Sequence, residues 1–304
     1  MVYLDLFKAL VYTAVFSLLL TPLDFKLAKS IGAIDTPKDD RRMHTRPVPR
    51  IGGISIFAAF SVFGLAFCES LSNSLLCILT GAVIIVVLGI IDDCVSLSAK
   101  TKLTVQTVSA VITVSGMGIY RNMGGIFVIF GILWLLTLTN AHNFIDGLDG
   151  LCAGTVIAEA CALAVLFFIQ GEYTLALLAL TLTGACIGFI PYNEKNAKIF
   201  MGDTGSAFLG FIIGFLSLEL FRLSPTPRAF ISMCMICAVP LSDIIFAVSR
   251  RIWKGKSPFI PDRSHIHHLL ADRTLGHRNA SLIIRLFSLI FAVFGMILYT
   301  VFGN

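Results

Sequence analysis

The chain has 304 residues, 57% of them apolar and only 13% charged, with a formal net charge of +5. A soluble domain carries about 25% charged residues, so this composition excludes an ordinary globular protein. It points instead to a chain that lives mostly in lipid, where each spanning helix takes roughly 20 apolar residues.

Apolar runs fall at about 2–23, 51–68, 75–91, 103–119, 126–139, 150–169, 173–190, 206–221, 229–249 and 281–302. They predict an all-α integral membrane protein of about ten transmembrane helices, forming a single polytopic domain over 1–304. The first run lacks a basic leader and a small-residue cleavage site, so it reads as a span rather than a signal peptide. Of the eight cysteines, most lie in or beside these runs, Cys234-Met-Ile-Cys237 inside one. They read as small buried hydrophobes rather than a disulfide or redox framework.

The intervening loops differ in charge. The odd-numbered loops, 24–50, 92–102, 140–149, 191–205 and 250–280, hold 18 Lys and Arg, against 3 in the even-numbered loops. By the positive-inside rule the odd loops face the cytoplasm and both termini face outward. The same loops hold all six histidines and Asp92, Asp93, Asp146, Asp149 and Asp203. One face therefore concentrates the groups that do chemistry.

In chain order, the first such loop runs Asp35-Thr-Pro through His44 to Pro49-Arg50-Ile-Gly-Gly53. Its prolines and glycines suggest a shaped turn, and its cations either set topology or attract anionic lipid heads. Next come Asp92 and Asp93, at the end of an apolar run. Adjacent carboxylates repel unless a cation compensates, and one or two carboxylates with phosphates and water suit Mg²⁺. The third segment is Asn140-Ala-His-Asn143-Phe-Ile-Asp146-Gly-Leu-Asp149-Gly, polar groups three apart that would share a helix face. The fourth runs from Asn193 to Phe200-Met-Gly-Asp203-Thr-Gly-Ser206, before an apolar helix whose N-terminus would favour phosphate or be capped by Asp203. The fifth carries Arg250, Arg251 and Lys254, then Arg263-Ser-His265-Ile-His267-His268. With no fourth zinc ligand in view, phosphate contact is the better reading, and Arg263 supplies a planar donor fork for it. Two acids lie deeper: Asp243, about two turns from Arg250 and a weaker site candidate, and Glu159, read as structural. Cation-holding acids and phosphate-holding cations at one membrane face suggest metal-assisted phosphoryl transfer involving a lipid.

These five segments, in this order, resemble the polyprenyl-phosphate N-acetylhexosamine-1-phosphate transferases, the superfamily of WecA, TagO and MraY. The resemblance covers nearly the whole chain. It implies transfer of N-acetylglucosamine 1-phosphate from UDP-GlcNAc to undecaprenyl phosphate with release of UMP, the first membrane step of a cell-envelope glycan, in a bacterial inner membrane with the active site built from cytoplasmic loops. It implies Mg²⁺, with Mn²⁺ able to substitute, held by Asp203 with Asp93 and Asp92. Asp92, Asp93, Asp203 and His267 would be catalytic. His44, Arg50, Asn143, Asp146, Asp149, Asn193, Arg263, His265 and His268 would bind substrate. Membrane lipids and a homodimer partner are compatible with it, and no nucleic acid is expected. The His-Ile-His-His pattern is closer to the WecA and TagO branch than to MraY, whose phospho-MurNAc-pentapeptide transfer is the alternative reaction. A transporter of nucleotide or lipid-linked sugars is the alternative class. His142 departs from the family pattern, which usually has an apolar residue between the two asparagines.

Overall fold

The computed structural model describes residues 2–36, 46–68, 72–119, 123–194, 196–255, 270 and 276–301. Among them are eleven helices: α1 (Val2–Ile31), α2 (Gly53–Ala66), α3 (Asn73–Val95), α4 (Ala99–Gly116), α5 (Gly125–Ile145), α6 (Leu151–Ile169), α7 (Tyr173–Asn193), α8 (Gly202–Leu223), α9 (Pro227–Ile236), α10 (Ala238–Trp253) and α11 (Gly276–Val301). A two-residue antiparallel ladder, β1 (Ile34–Asp35) on β2 (Val48–Pro49), brings the two ends of the first long loop together.

Each of the ten apolar runs becomes helix, but not every one becomes a full span. Seven helices are long and apolar enough to cross a membrane: α1, α3, α5, α6, α7, α8 and α11. The ninth run breaks into α9 and α10, bent by 82°. α2 has 14 residues, about 21 Å at 1.5 Å per residue, against a hydrocarbon core of roughly 30 Å. α4 opens on Lys100 and Lys102 and carries Thr, Ser and Gln along its length, so it is less apolar than the seven.

The helix ends follow local chemistry. Ser72, Ser98 and Thr226 each accept a hydrogen bond from the backbone N–H three residues on, at 3.1, 3.2 and 3.2 Å, and so start α3, α4 and α9. α3 stops at Ser96, which takes a left-handed conformation (φ 53°), and α4 begins three residues later. This tight reversal folds Lys102 back against the last turn of α3.

α8 is apolar on all sides and is the central helix. Within its span 89% of residues are buried, against 22% for α1 at the periphery. It packs against α3 and α5, while α1 lies along α7, and α6 fits between α7 and α11. The start of α8 therefore sits in the middle of the bundle, where close backbone approach needs glycine. A Cβ on Gly53 would fall inside the backbone of Gly205, and one on Gly89 inside that of Thr204. Gly89→Ala is expected to push α8 away from α3, costing at least the ~1–3 kcal/mol of core overpacking. A thermal melt of the detergent-solubilised variant, compared with the parent chain, checks this; an unchanged midpoint would contradict the packing described.

Candidate active site at the start of α8

Asp93 sits in the last turn of α3 with no exposed side-chain surface. Its Oδ1 accepts hydrogen bonds from Arg50 Nε at 2.9 Å and from the Asp203 backbone N–H at 3.2 Å, and pairs with Arg50 Nη2 at 2.9 Å. Its Oδ2 accepts from the Thr204 N–H at 3.0 Å and from the Thr204 hydroxyl at 2.7 Å. The first N–H groups of a helix have no partner inside it, and the helix dipole favours a negative group there. α8 thus takes its N-terminal cap from another helix. The expected cap, Asp203, does not act as one. Gly202 makes the entry possible: it holds φ +69°, and a Cβ there would strike the carbonyl oxygen of Arg50.

Asp92, its sequence neighbour, points elsewhere. It accepts from the Leu97 N–H at 2.6 Å and pairs with Lys102 at 3.1 Å. The Lys102 ammonium also pairs with Asp203, so one cation joins two carboxylates from different helices. Burial works against its charge, but the carboxylates of Asp203 and Asp92 outweigh burial and raise its pKa. The repulsion expected between Asp92 and Asp93 is thereby resolved with two cations, Arg50 on one and Lys102 on the other. The sequence by itself does not single out Lys102. Its spacing of ten residues from Asp92 becomes informative only once the turn at Ser96–Ser98 is seen.

A cleft of about 1190 Å³ opens beside these groups, lined by Arg50, Asp93, Asn143, Asp146, Asp149, Asn193 and Asp203, among others. Residues from four of the five sequence segments therefore meet. α5 ends at Ile145, so Asp146 and Asp149 lie in the loop after it rather than continuing one helix face. Asn140 faces away from the cleft, donating to Gln106 at 2.8 Å. Asn143 donates to Ser206 at 3.0 Å. Asn193, the last residue of α7, accepts from the Gly150 N–H at 3.0 Å and donates to the Ile199 carbonyl at 3.0 Å. Asp149 accepts from the Ala197 N–H at 2.9 Å. These bonds tie the two loops into one wall. Asp146 has its pKa pushed well above the usual carboxylate range, by burial first and then by Asp203, Asp93 and Asp149.

His44, Arg263, His265, His267 and His268 lie outside the described residues. The basic side of the cleft is instead represented by Arg46, Arg50, His277 and Arg278. His142, placed in a loop by the sequence reading, is in fact inside α5 and fully buried, at 2.8 Å from Glu159. Asp243 is buried on α10, and all eight cysteines are free.

Among the described residues no three His, Cys, Asp or Glu side chains converge as a ready metal cage. The donor set still fits a hard cation that takes one or two carboxylates and completes its shell with water and phosphate. Asp203 and Asp92 already share one cation, the Lys102 ammonium. Asp93, fully engaged with Arg50 and the α8 N-terminus, is positioned to hold the helix in place.

Residues 75–221, from α3 to α8, match the family described as glycosyl transferase family 4. The chain is 38% identical to a probable undecaprenyl-phosphate N-acetylglucosaminyl 1-phosphate transferase of Bacillus subtilis, over 92% of this chain and 81% of the relative. It is 34% identical to a decaprenyl-phosphate N-acetylglucosaminephosphotransferase of Mycobacterium tuberculosis, over 86% and 74%. It is 32% identical to an undecaprenyl-phosphate alpha-N-acetylglucosaminyl 1-phosphate transferase of Escherichia coli, over 90% and 78%.

Proposed function

Because this chain belongs to the polyprenyl-phosphate N-acetylglucosaminyl 1-phosphate transferases of glycosyl transferase family 4, we propose that it moves N-acetylglucosamine 1-phosphate from UDP-GlcNAc to undecaprenyl phosphate. A phosphate oxygen of the lipid forms a bond to the β-phosphorus of the nucleotide sugar. The bond from that phosphorus to the bridging oxygen breaks, and UMP leaves with the electron pair. The observation that carries this reading is the junction of Asp92, Lys102 and Asp203 at the start of the central helix, where Asp203 also lines the cleft. Two anionic phosphates must meet there, which requires positive charge and fixed geometry more than covalent help.

Each residue has a part in this reading. Asp203, with Asp92, would hold Mg²⁺, which would supply positive charge for the phosphate oxygens. Lys102 keeps those two carboxylates together before substrate arrives. Arg50, at the cleft edge, faces a phosphate while remaining anchored to Asp93. Asn143, Asp146, Asp149 and Asn193 form the nucleotide wall. The basic segment with Arg263, His265, His267 and His268 adds contacts to the pyrophosphate. The lysine and arginine bias of the loops supports a cytoplasmic active site in the bacterial inner membrane, with both termini outside.

Purified protein given UDP-GlcNAc, undecaprenyl phosphate and Mg²⁺ is expected to release UMP, and EDTA is expected to stop it. UDP-MurNAc-pentapeptide should not be turned over. Absence of UMP with UDP-GlcNAc, or preference for the pentapeptide substrate, would overturn the assignment.

A further inference from the structure

Behind the cleft lie two titratable groups that do not line it. His142 and Glu159 are both fully buried, His142 in the last turn of α5 and Glu159 on α6. The Nδ1 of His142 lies 2.9 Å from the Leu138 carbonyl oxygen, and Nε2 lies 2.8 Å from Glu159 Oε2. A carbonyl only accepts, so Nδ1 carries a hydrogen. The contact at Nε2 then needs one further proton, shared with the carboxyl group. Whether it rests on nitrogen or on oxygen, the pair is neutral overall, which is what a site enclosed by apolar helices tolerates.

The pair sits at a three-way junction. Cys152 of α6 donates from Sγ to the His142 carbonyl at 3.6 Å. On α8, Gly210 leaves no room for a side chain, because a Cβ there would meet the Leu138 carbonyl and come within 2.9 Å of His142 Cβ. The next residue in the chain is Asn143, which donates to the Ser206 hydroxyl at 3.0 Å, three residues after Asp203 on α8. Asp146 follows three residues later. Neither His142 nor Glu159 lines the cleft; Asn143 and Asp146 do.

We propose that His142 and Glu159 form a neutral buried strap that ties the end of α5 to α6 where α5 packs closely on Gly210 of α8, so that both are positioning residues for Asn143 and Asp146. This rests on the reading of the cleft as the site of UDP-GlcNAc transfer. An unpaired polar group in this place would be relieved by a shift of the α5 end, and a displacement near 1 Å in a positioned site is enough to cost up to about a hundred-fold in rate.

The test compares the parent chain with Glu159→Gln, Glu159→Ala, Glu159→Asp and the double variant His142→Phe/Glu159→Ala. UMP release and hydrogen exchange over residues 140–149 are both measured. Glu159→Gln keeps a donor for Nε2 and should retain most of the parent kcat and exchange protection. Glu159→Ala and Glu159→Asp should lower kcat by between about ten- and a hundred-fold, with a smaller change in KM for UDP-GlcNAc, and should speed exchange over 140–149 alone. The double variant should be no worse than Glu159→Ala, as for two residues acting as one unit. Glu159→Asp supplies the result if Glu159→Ala does not fold. Parent kcat and exchange in the broken variants, or an equal loss in Glu159→Gln, would overturn the proposal. If the parent chain releases no UMP, the functional reading fails by itself, and the exchange pattern alone then decides for or against the strap.

Discussion

Asp203→Ala is expected to lose transfer almost entirely while the protein stays folded. The carboxylate is the only acid in the first turn of α8 and is partly accessible, at 23% of its side-chain surface. Losing one preorganised electrostatic contact to a transition state costs about 100- to 1000-fold, and the metal-holding role proposed for Asp203 puts the expected loss at the upper end of that range. The structural cost is small. Lys102 keeps Asp92 as partner at 3.1 Å, so no cation is left alone. The α8 N-terminus keeps its cap from Asp93, so only a dipole contribution of about 0.3–1 kcal/mol is removed. UMP release and a thermal melt, run on the same preparation, check both halves. Activity within ten-fold of the parent would remove Asp203 from the metal role, and a collapsed melt would show that it is structural instead.

Asp93→Ala should behave in the opposite order, with stability lost first. The substitution strips two backbone N–H groups and the Thr204 hydroxyl of their acceptor and leaves Arg50 without its carboxylate. Removing one partner of a buried ion pair costs about 3–5 kcal/mol. Arg50 keeps some contact with water, at 26% of its side-chain surface, so the lower end applies. The expected observation is a large fall in melting temperature and in the monodisperse fraction after solubilisation. Asp93→Asn, which keeps one acceptor oxygen, should fall between the two. If Asp93→Ala melts like the parent and only turnover is lost, then Asp93 is a reacting or metal-holding group and the helix-anchoring role assigned to it is wrong. Together the two variants separate carboxylates that are 110 residues apart in the chain yet share one helix end.

Much of this molecule is legible without coordinates. Hydropathy alone locates the ten helical units, because a chain in lipid must satisfy its backbone hydrogen bonds within each segment. The bias of lysine and arginine between alternate loops groups the polar segments on one face, and their residue types point to phosphate and a hard cation. What the pattern does not carry is the pairing among them. Asp92 and Asp93 look equivalent in the chain, but successive residues on a helix point about 100° apart, and only packing decides that one meets Arg50 and α8 while the other meets Lys102. The roles of Lys102 and of the His142–Glu159 pair emerge the same way. Lys102 reaches Asp203 across 101 positions, and His142 reaches Glu159 because α5 and α6 turn back on one another. Segment by segment, hydrophobicity is a local property and can be read locally. Which charges neutralise one another depends on three-dimensional contact between distant segments, and that was decided by the glycine-permitted approach of α3 and α5 to the central helix.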